Sequence, residues 1–198
     1  MYNMKKLNAR LSAMAGFVGA GESVADIGAD HGYLPMHLVG EGVSPFAILT
    51  DANPGPLEKT RVSVTKAGFA DISAPVQKVD AKAGFAGTPA ARYSPGPGAG
   101  GWIELRLGDG LSALARGEVD TVVIAGMGGE TIVSILAADP EKARSFGKYI
   151  LQPRTKTGIL RAWVSAAGWK ALAETQAEEQ GRFCDIIVCT PEASAGGK

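Results

Sequence analysis

Acidic residues with a glycine nearby occur at three places where an apolar run of the sequence ends. The acids are Asp26 and Asp30 around the first turn, Asp51 after the second run and Asp109 after the third. A carboxylate at a strand end can hold ribose hydroxyls or an amino group, and a neighbouring glycine lets a ligand approach the backbone. Each acid alone is a common turn or cap residue, so the binding crevice is predicted from their recurrence.

The first turn, residues 26–32, indicates which ligand the crevice would take. Its spacing departs from the dinucleotide fingerprint because Asp30 occupies the position of the second glycine, where a pyrophosphate approaches the backbone. A carboxylate there would repel the anion by about 1 to 4 kcal/mol. Two acids beside a glycine turn instead favour a cationic ligand such as S-adenosylmethionine over NAD. Asp51 fits the ribose of either cofactor, and Asp109 could accept a hydrogen bond from an adenine amino group.

Two kinds of apolar pattern, which follow one another along the sequence, predict the strands and helices that would position these residues. Short apolar runs predict strands, and apolar residues at helical spacing predict the helices between them. The predicted strands are 23–27, 46–50, 103–107, 119–125 and 149–151. A hairpin of 169–174 and 182–190, turning at Gly181, would follow them. This order predicts a doubly wound α/β sheet that binds ligands beyond the carboxyl ends of its strands.

One stretch breaks the pattern. Residues 71–101 hold Pro75, Pro89, Pro95 and Pro97 among many glycines and alanines. A loop of that length is unusual inside a compact domain, so we expect a mobile surface insertion with a short strand near 76–79. The remaining pattern predicts one domain over 1–192 and a flexible tail over 193–198.

Composition excludes several classes of function. The chain has 198 residues and a formal net charge of +0, so no overall field draws it to nucleic acid or membrane. No apolar run of the sequence is long enough to cross a bilayer, and the N-terminus has no signal-peptide pattern, which predicts a cytoplasmic protein. Cys184 and Cys189 form no disulfide framework, and His31 and His37 lack metal-ligand spacing, so no metal is expected.

Four segments resemble a known family in sequence and order. They are DIGADHGYLP at 26–35, GDGL at 108–111, AGMGG at 125–129 and LQP at 151–153. The chain resembles the TrmK family, bacterial tRNA (adenine-22-N1)-methyltransferases, from about Leu7 to Val188. The resemblance implies a class I methyltransferase domain with a Rossmann-like sheet, S-adenosylmethionine as methyl donor and N1 of a tRNA adenine as acceptor. The family usually continues past the hairpin into a helical domain that helps hold tRNA. We expect this chain to lack that domain, which leaves room for a partner in its place.

The motifs give a set of predicted site residues. Asp30 is the candidate for stabilising the positive charge that develops on the base, with His31 or Tyr33 orienting the base. The predicted cofactor-binding residues are Asp26, Gly28, Asp30, Gly32, Asp51, Ala52, Gly108, Asp109, Gly110, Ala125, Gly126 and Met127. The predicted substrate-binding residues are Met127, Gly128, Gly129, Gln152, Pro153 and Arg154.

A local group of basic residues predicts where RNA would bind. Six cations without an intervening acid are Lys142, Arg144, Lys148, Arg154, Lys156 and Arg161. Lys5, Lys6 and Arg10 form a second group on the first helix, and both predict salt-dependent tRNA binding. Other functions stay open. They are methyl transfer to a small molecule or a protein, a catalytically silent cofactor-binding scaffold, and an NAD-linked oxidoreductase, which Asp30 disfavours.

Overall fold

The computed structural model describes residues 6–72, 89–96 and 100–191. The helices within those ranges are α1 (Ala9–Ala15), α2 (Tyr33–Gly40), α3 (Pro54–Lys66), α4 (Gly129–Ala138), α5 (Pro140–Ala143) and α6 (Thr157–Ala166). The strands are β1 (Val24–Ile27), β2 (Phe46–Asp51), β3 (Ala70–Asp71), β4 (Pro89–Ser94), β5 (Trp102–Leu107), β6 (Thr121–Gly128), β7 (Lys148–Thr155), β8 (Trp169–Glu179) and β9 (Arg182–Pro191). The expected tail and the strand expected near 76–79 lie outside the described residues.

All described strands join one sheet in the order β3-β4-β5-β2-β1-β6-β7-β9-β8. The central strands β5, β2, β1, β6 and β7 are parallel, and the strands beyond them on both sides are antiparallel. The chain runs outward from β1 through β2 to β5 and then returns to β6 on the other side of β1. This reversal places the switch point between β1 and β6, where such sheets bind ligands. The predicted doubly wound sheet with its closing hairpin is confirmed.

Helices cover both faces of the sheet because the central strands are apolar on both sides. On one face, α1, α2 and α3 bury Met14, Leu38 and Val64 against residues such as Val24 and Leu49. On the other face, α4, α5 and α6 pack against the sheet around a second core that includes Ile132, Leu136, Leu160, Ile124 and Tyr149. Side chains that alternate along a central strand therefore point toward different helix layers.

The expectation of a mobile surface insertion over 71–101 is wrong for residues 89–94. Residues 89–94 form β4, which pairs antiparallel with β5 and brings Tyr93 to 1% exposure. The prolines hid this strand because proline is unfavourable inside a sheet. Pro89 and Pro95 instead stand at the start of β4 and just after its end, where a missing N–H is tolerated.

An ion network ties β4 to the sheet. The Glu104 carboxylate on β5 is fully buried between the guanidinium groups of Arg92 on β4 and Arg106, at 2.5 Å and 2.6 Å. Arg106 also forms two hydrogen bonds with Glu118, at 2.7 Å and 2.8 Å. A buried carboxylate is tolerated only when it is paired in this way. Part of the predicted insertion therefore belongs to the packed domain.

No helix in the described part of the chain is long and apolar enough to cross a membrane. Within residues 6–72, 89–96 and 100–191, no three His, Cys, Asp or Glu side chains are grouped as a metal site. Cys184 and Cys189 are both free thiols.

Candidate active site

A cleft of about 660 Å³ opens at the carboxyl ends of β1, β2, β5 and β6 and is closed on one side by α4. Its volume is in the range of small-molecule and cofactor sites. The predicted cofactor-binding residues that line this cleft are Gly28, Asp51, Ala52, Gly108, Asp109, Gly110 and Met127. The glycine turns after β1 and β5 thus meet at the switch point, as the sequence pattern predicted.

The turn after β1 is built so that another chain segment can approach its backbone. The N–H groups of Gly28 and Ala29 both donate to the carbonyl of Thr50, at 2.9 Å and 3.2 Å. Gly28 has φ of +72°, and a Cβ at this position would lie 2.3 Å from the Met127 Cε atom. A larger residue would therefore be strained and would displace Met127. Gly28 and Met127 together form the floor of the cleft.

Asp51 and Gly108 lie side by side where β2 and β5 end. The Gly108 N–H donates to the Asp51 carbonyl at 2.9 Å, and the Asp51 Oδ1 atom accepts from the Asn53 N–H at 2.9 Å. The second bond orients the carboxylate from the first turn after the strand. A Cβ on Gly108 would approach the Ala113 Cβ to 2.8 Å, so this wall also requires glycine. Asp109 is exposed beside it.

Four wall residues of the cleft come from α4 and were not predicted from the sequence. They are Thr131, Ser134, Ile135 and Ala138. Their spacing of three or four places them on one helix face. Ile132 and Leu136 on the same helix are fully buried in the core, and Ile135 both packs against that core and lines the cleft. The sequence does contain a signal for these four residues, because they lie on the side of α4 that is not occupied by the core residues Ile132 and Leu136.

The three residues predicted to act on the acceptor lie outside the cleft lining. The Asp30 side chain is 78% exposed, and its Oδ2 atom is 4.0 Å from the His31 Nε2 atom. The His31 ring stacks on Tyr33 with centroids 5.3 Å apart, and its Nδ1 atom lies 3.4 Å from the Ser63 Oγ atom. These side chains form a polar rim at the start of α2, accessible to a large substrate. Gly32 next to them packs against Leu49.

Asp26 points from β1 toward the α1 face of the sheet and is 9% exposed. Burial raises the pKa of Asp26 to about 7, and the nearby Arg10 guanidinium opposes that rise. Arg10 on α1 donates to the Gln152 Oε1 atom at 3.2 Å and to the Glu179 Oε2 atom at 2.7 Å. We call Arg10, Asp26, Gln152 and Glu179 the polar cluster. The predicted role of Asp26 in cofactor binding remains a prediction, because its side chain does not line the cleft.

The predicted substrate-binding residues occupy different environments. Gln152 and Pro153 are buried, whereas Arg154 is exposed. Gly128 and Gly129 lead from β6 into α4, where a Cβ on Gly129 would lie 2.4 Å from the Lys156 carbonyl oxygen. Ala125 and Gly126 precede them on β6, also outside the cleft lining. Gln152 accepts a hydrogen bond from the Gly126 N–H on β6 from within the protein.

Most of the predicted RNA-binding cations are engaged within the protein. Ion pairs join Lys148 to Glu22, Lys156 to Glu130, and Arg161 to Glu174 and Asp185. Lys142 donates to the Leu111 carbonyl and Arg144 to that of Ala167. The Arg154 side chain forms no hydrogen bond or ion pair within residues 6–72, 89–96 and 100–191. The six cations do not form one free basic surface.

Comparison with known proteins matches this architecture to a family. A methyltransferase domain model matches residues 7–83 and 97–187. The chain is 30% identical over 186 residues to tRNA (adenine(22)-N(1))-methyltransferase of Bacillus subtilis (strain 168), covering 94% of this chain and 66% of that protein. The chain thus spans slightly less than two thirds of this relative.

Two solved structures share both the fold and detectable sequence similarity. Sp1610 of Streptococcus pneumoniae in complex with S-adenosyl-L-methionine has a TM-score of 0.74 and 29% identity, covering 96% of this chain and 77% of that one. M. capricolum TrmK in complex with S-adenosyl-homocysteine has a TM-score of 0.69 and 25% identity, covering 95% and 70%. The resemblance to TrmK proteins is confirmed. With the family model matching well over half of its residues, the chain belongs to the methyltransferase domain family.

Proposed function

We propose that this protein is an S-adenosylmethionine-dependent methyltransferase that modifies N1 of an adenine in tRNA. The cleft at the switch point carries the proposal, because glycine turns and acids from β1, β2 and β5 line it together. Similarity to the B. subtilis enzyme over 94% of this chain supports the choice of acceptor.

The residues present fit the donor. Asp51 has one carboxylate oxygen engaged by Asn53, which leaves the other available to ribose hydroxyls. Asp109 stands exposed at the end of β5, in position for an adenine amino group. Gly28 and Gly108 line the cleft, and their lack of side chains makes room for Met127 and Ala113 beside it. When bound, the donor supplies a methyl group on a positively charged sulfur.

The acceptor side needs little acid–base chemistry. N1 of neutral adenine already has a free lone pair, so the protein has only to orient the base and exclude water. Methylation leaves the base positively charged, and a carboxylate nearby would stabilise that charge. Asp30 is the proposed carboxylate, with His31 and Tyr33 as an orienting surface. Its exposed position suits a polynucleotide substrate that approaches from solvent.

A tRNA substrate also implies a cytoplasmic location. Arg154 follows β7 directly and is the proposed phosphate contact among the residues predicted to bind substrate. The comparisons offer no support for the additional partner expected from the sequence.

The proposal is tested by incubating the protein with S-adenosylmethionine and unmodified bacterial tRNA, and by mapping reverse-transcription stops. Wild type should produce one stop at an adenine, since N1-methyladenine blocks Watson–Crick pairing. Asp30→Asn should reduce turnover about tenfold, less than the roughly hundredfold effect of one electrostatic group in a water-excluded site, because Asp30 is exposed. Its donor affinity by calorimetry should be unchanged.

NAD serves as the control ligand in the same calorimetry. Binding of NAD in preference to S-adenosylmethionine, or donor binding without methylation of any RNA, would refute the proposed function. Near-normal turnover of Asp30→Asn would remove Asp30 from the chemistry without affecting the assignment. A weaker donor affinity in that variant would place Asp30 in the cofactor site.

A further inference from the structure

The Gly126 amide lies where β6 stops pairing regularly with β7. The register shifts between Ala125 and Met127 and again between Met127 and Gly128. Gly126 itself has φ of +77°. A bulge of this kind leaves a residue without a regular partner in the ladder. Since an N–H group shielded from water needs a partner, Gly126 must find one outside the ladder.

Gln152 provides that partner from inside the protein. Its Oε1 atom accepts from the Gly126 N–H at 3.2 Å and from the Arg10 Nη1 group at 3.2 Å. Its Nε2 group donates to the Pro153 carbonyl at 2.9 Å. An amide oxygen has two lone pairs, and both are occupied here. Gln152 is 1% exposed and has no acceptor left for a substrate.

Arg10 is held in turn by the C-terminal hairpin. Its Nε group donates to the Glu179 Oε2 atom at 2.7 Å, and the Asn8 side chain donates to the other oxygen of that carboxylate. The side chains of Arg10 and Glu179 are only 21% and 25% exposed, so solvent screens this pair less than a surface pair. A continuous relay thus runs from Glu179 through Arg10 and Gln152 to Gly126.

We infer that Arg10 and Gln152 are positioning residues that fix the Gly126 amide and, through it, the backbone from Gly126 to Gly129. This inference rests on the proposed function and on the prediction from the sequence that residues 127–129 bind the substrate. Met127 within it packs on Gly28 in the floor of the cleft, so a shift of Gly126 would move the cleft and the acceptor surface together. Misplacement of a reacting group by about 1 Å can cost about a hundredfold in rate.

Hydrogen exchange tests the relay without donor or RNA. Gln152→Met keeps the side-chain length but removes the acceptor, and Arg10→Met removes the guanidinium. Gln152→Met should speed exchange of the Gly126 amide about tenfold, the equivalent of one hydrogen bond. Arg10→Met should speed it less, and Arg10→Lys less again because it keeps the charge. The matched control is Glu178→Gln, one residue from Glu179 and exposed, which should leave exchange unchanged.

Kinetics then separate positioning from binding. Gln152→Met should lower kcat for tRNA methylation about tenfold to a hundredfold while the KM for donor stays at its wild-type value. The double variant with Arg10→Met should lose no more than the larger single variant, because both act through one amide. Should Gln152→Met fail to fold, Arg10→Met at the outer end of the relay gives the same comparison.

The inference would be overturned if the Gly126 amide exchanged at the wild-type rate in Gln152→Met. It would also be overturned if the losses in kcat multiplied in the double variant, or if the substitutions changed only KM. A wild-type chain that methylates no tRNA would instead refute the proposed function. The exchange measurement would still decide whether Arg10 and Gln152 hold Gly126.

Discussion

The cleft lies beyond the carboxyl ends of the central strands, whereas the polar cluster lies on the α1 face of the sheet, and the two are built in different ways. The cleft uses short stretches of sequence, each a turn with its own glycine or acid, such as Gly28, Asp51 and Gly108. The polar cluster joins side chains far apart in the chain, because Arg10 is 142 positions from Gln152 and 169 positions from Glu179. The cleft leaves polar groups available to a ligand, whereas the cluster uses most of its polar groups internally.

This difference explains why acids of the same type behave differently. Asp51 lies at a partly open strand end, bonded to a backbone N–H. Asp26 is four residues before Asp30 but faces the layer under α1, where burial raises its pKa. A carboxylate that is ready for a ligand and one that is held inside the fold cannot be distinguished by residue type. The face of the strand decides between them.

The largest expected effect comes from Asp26→Asn. The pKa of Asp26 is raised from 3.8 to about 7 in the folded protein, so the folded state binds this proton more tightly than the unfolded state does. The Asp26 contribution to stability is therefore present below pH 4 and is lost as the pH rises to about 7. At pH 8 the variant should gain up to about 4 kcal/mol in free energy of unfolding.

Chemical denaturation of both proteins between pH 4 and pH 8 measures this difference. Other carboxylates titrate in the same range, so the quantity to compare is the difference between variant and wild type at each pH. A difference that does not change with pH would show that Asp26 is not a buried acid of raised pKa.

Asp51→Asn should act on the cleft alone. Loss of a charged hydrogen bond to the donor costs about 1.5 to 3 kcal/mol, which raises the Kd for S-adenosylmethionine about tenfold to a hundredfold. The Oδ1 bond to Asn53 can persist, so stability should change little. Calorimetry measures the Kd, with Glu41→Gln on the exposed end of α2 as the charge control. Wild-type donor affinity in Asp51→Asn would remove this residue from the cofactor site.

The smallest effect is expected at the RNA surface. Arg154→Ala should weaken tRNA binding and reduce the slope of log K against log salt by about 1, the value for one phosphate contact. Arg161→Ala should leave the slope unchanged, because Arg161 is already paired with Glu174 and Asp185. Filter binding over a range of salt concentrations compares the two. Equal slopes for both variants would mean that internal ion pairs do not decide which cations bind RNA.

Local patterns predicted most of the fold. Apolar runs located β2 and β6, because a parallel strand covered on both faces has no polar alternation to obscure it. In β5 the apolar residues alternate with Glu104 and Arg106, which are buried as an ion pair. β4 was missed because Pro89 and Pro95 favour a loop, although they only bracket the strand. The strands β6 and β7 also run further than their apolar cores, to Gly128 and Thr155. Pairing with a neighbour extends a strand past the point where its own composition favours it.

The amino-acid sequence by itself determined the turns, the acids at the strand ends and the alternation of strands and helices that forms a doubly wound sheet. These depend on backbone preferences and on hydrophobic burial over a few residues, which act locally. Which carboxylate is buried, which cation is already paired and which side chain supports Gly126 depended on contacts across the whole chain. Burial and electrostatic pairing are set by neighbours in space, and the folded sheet brings Arg10, Asp26 and Gln152 into one place.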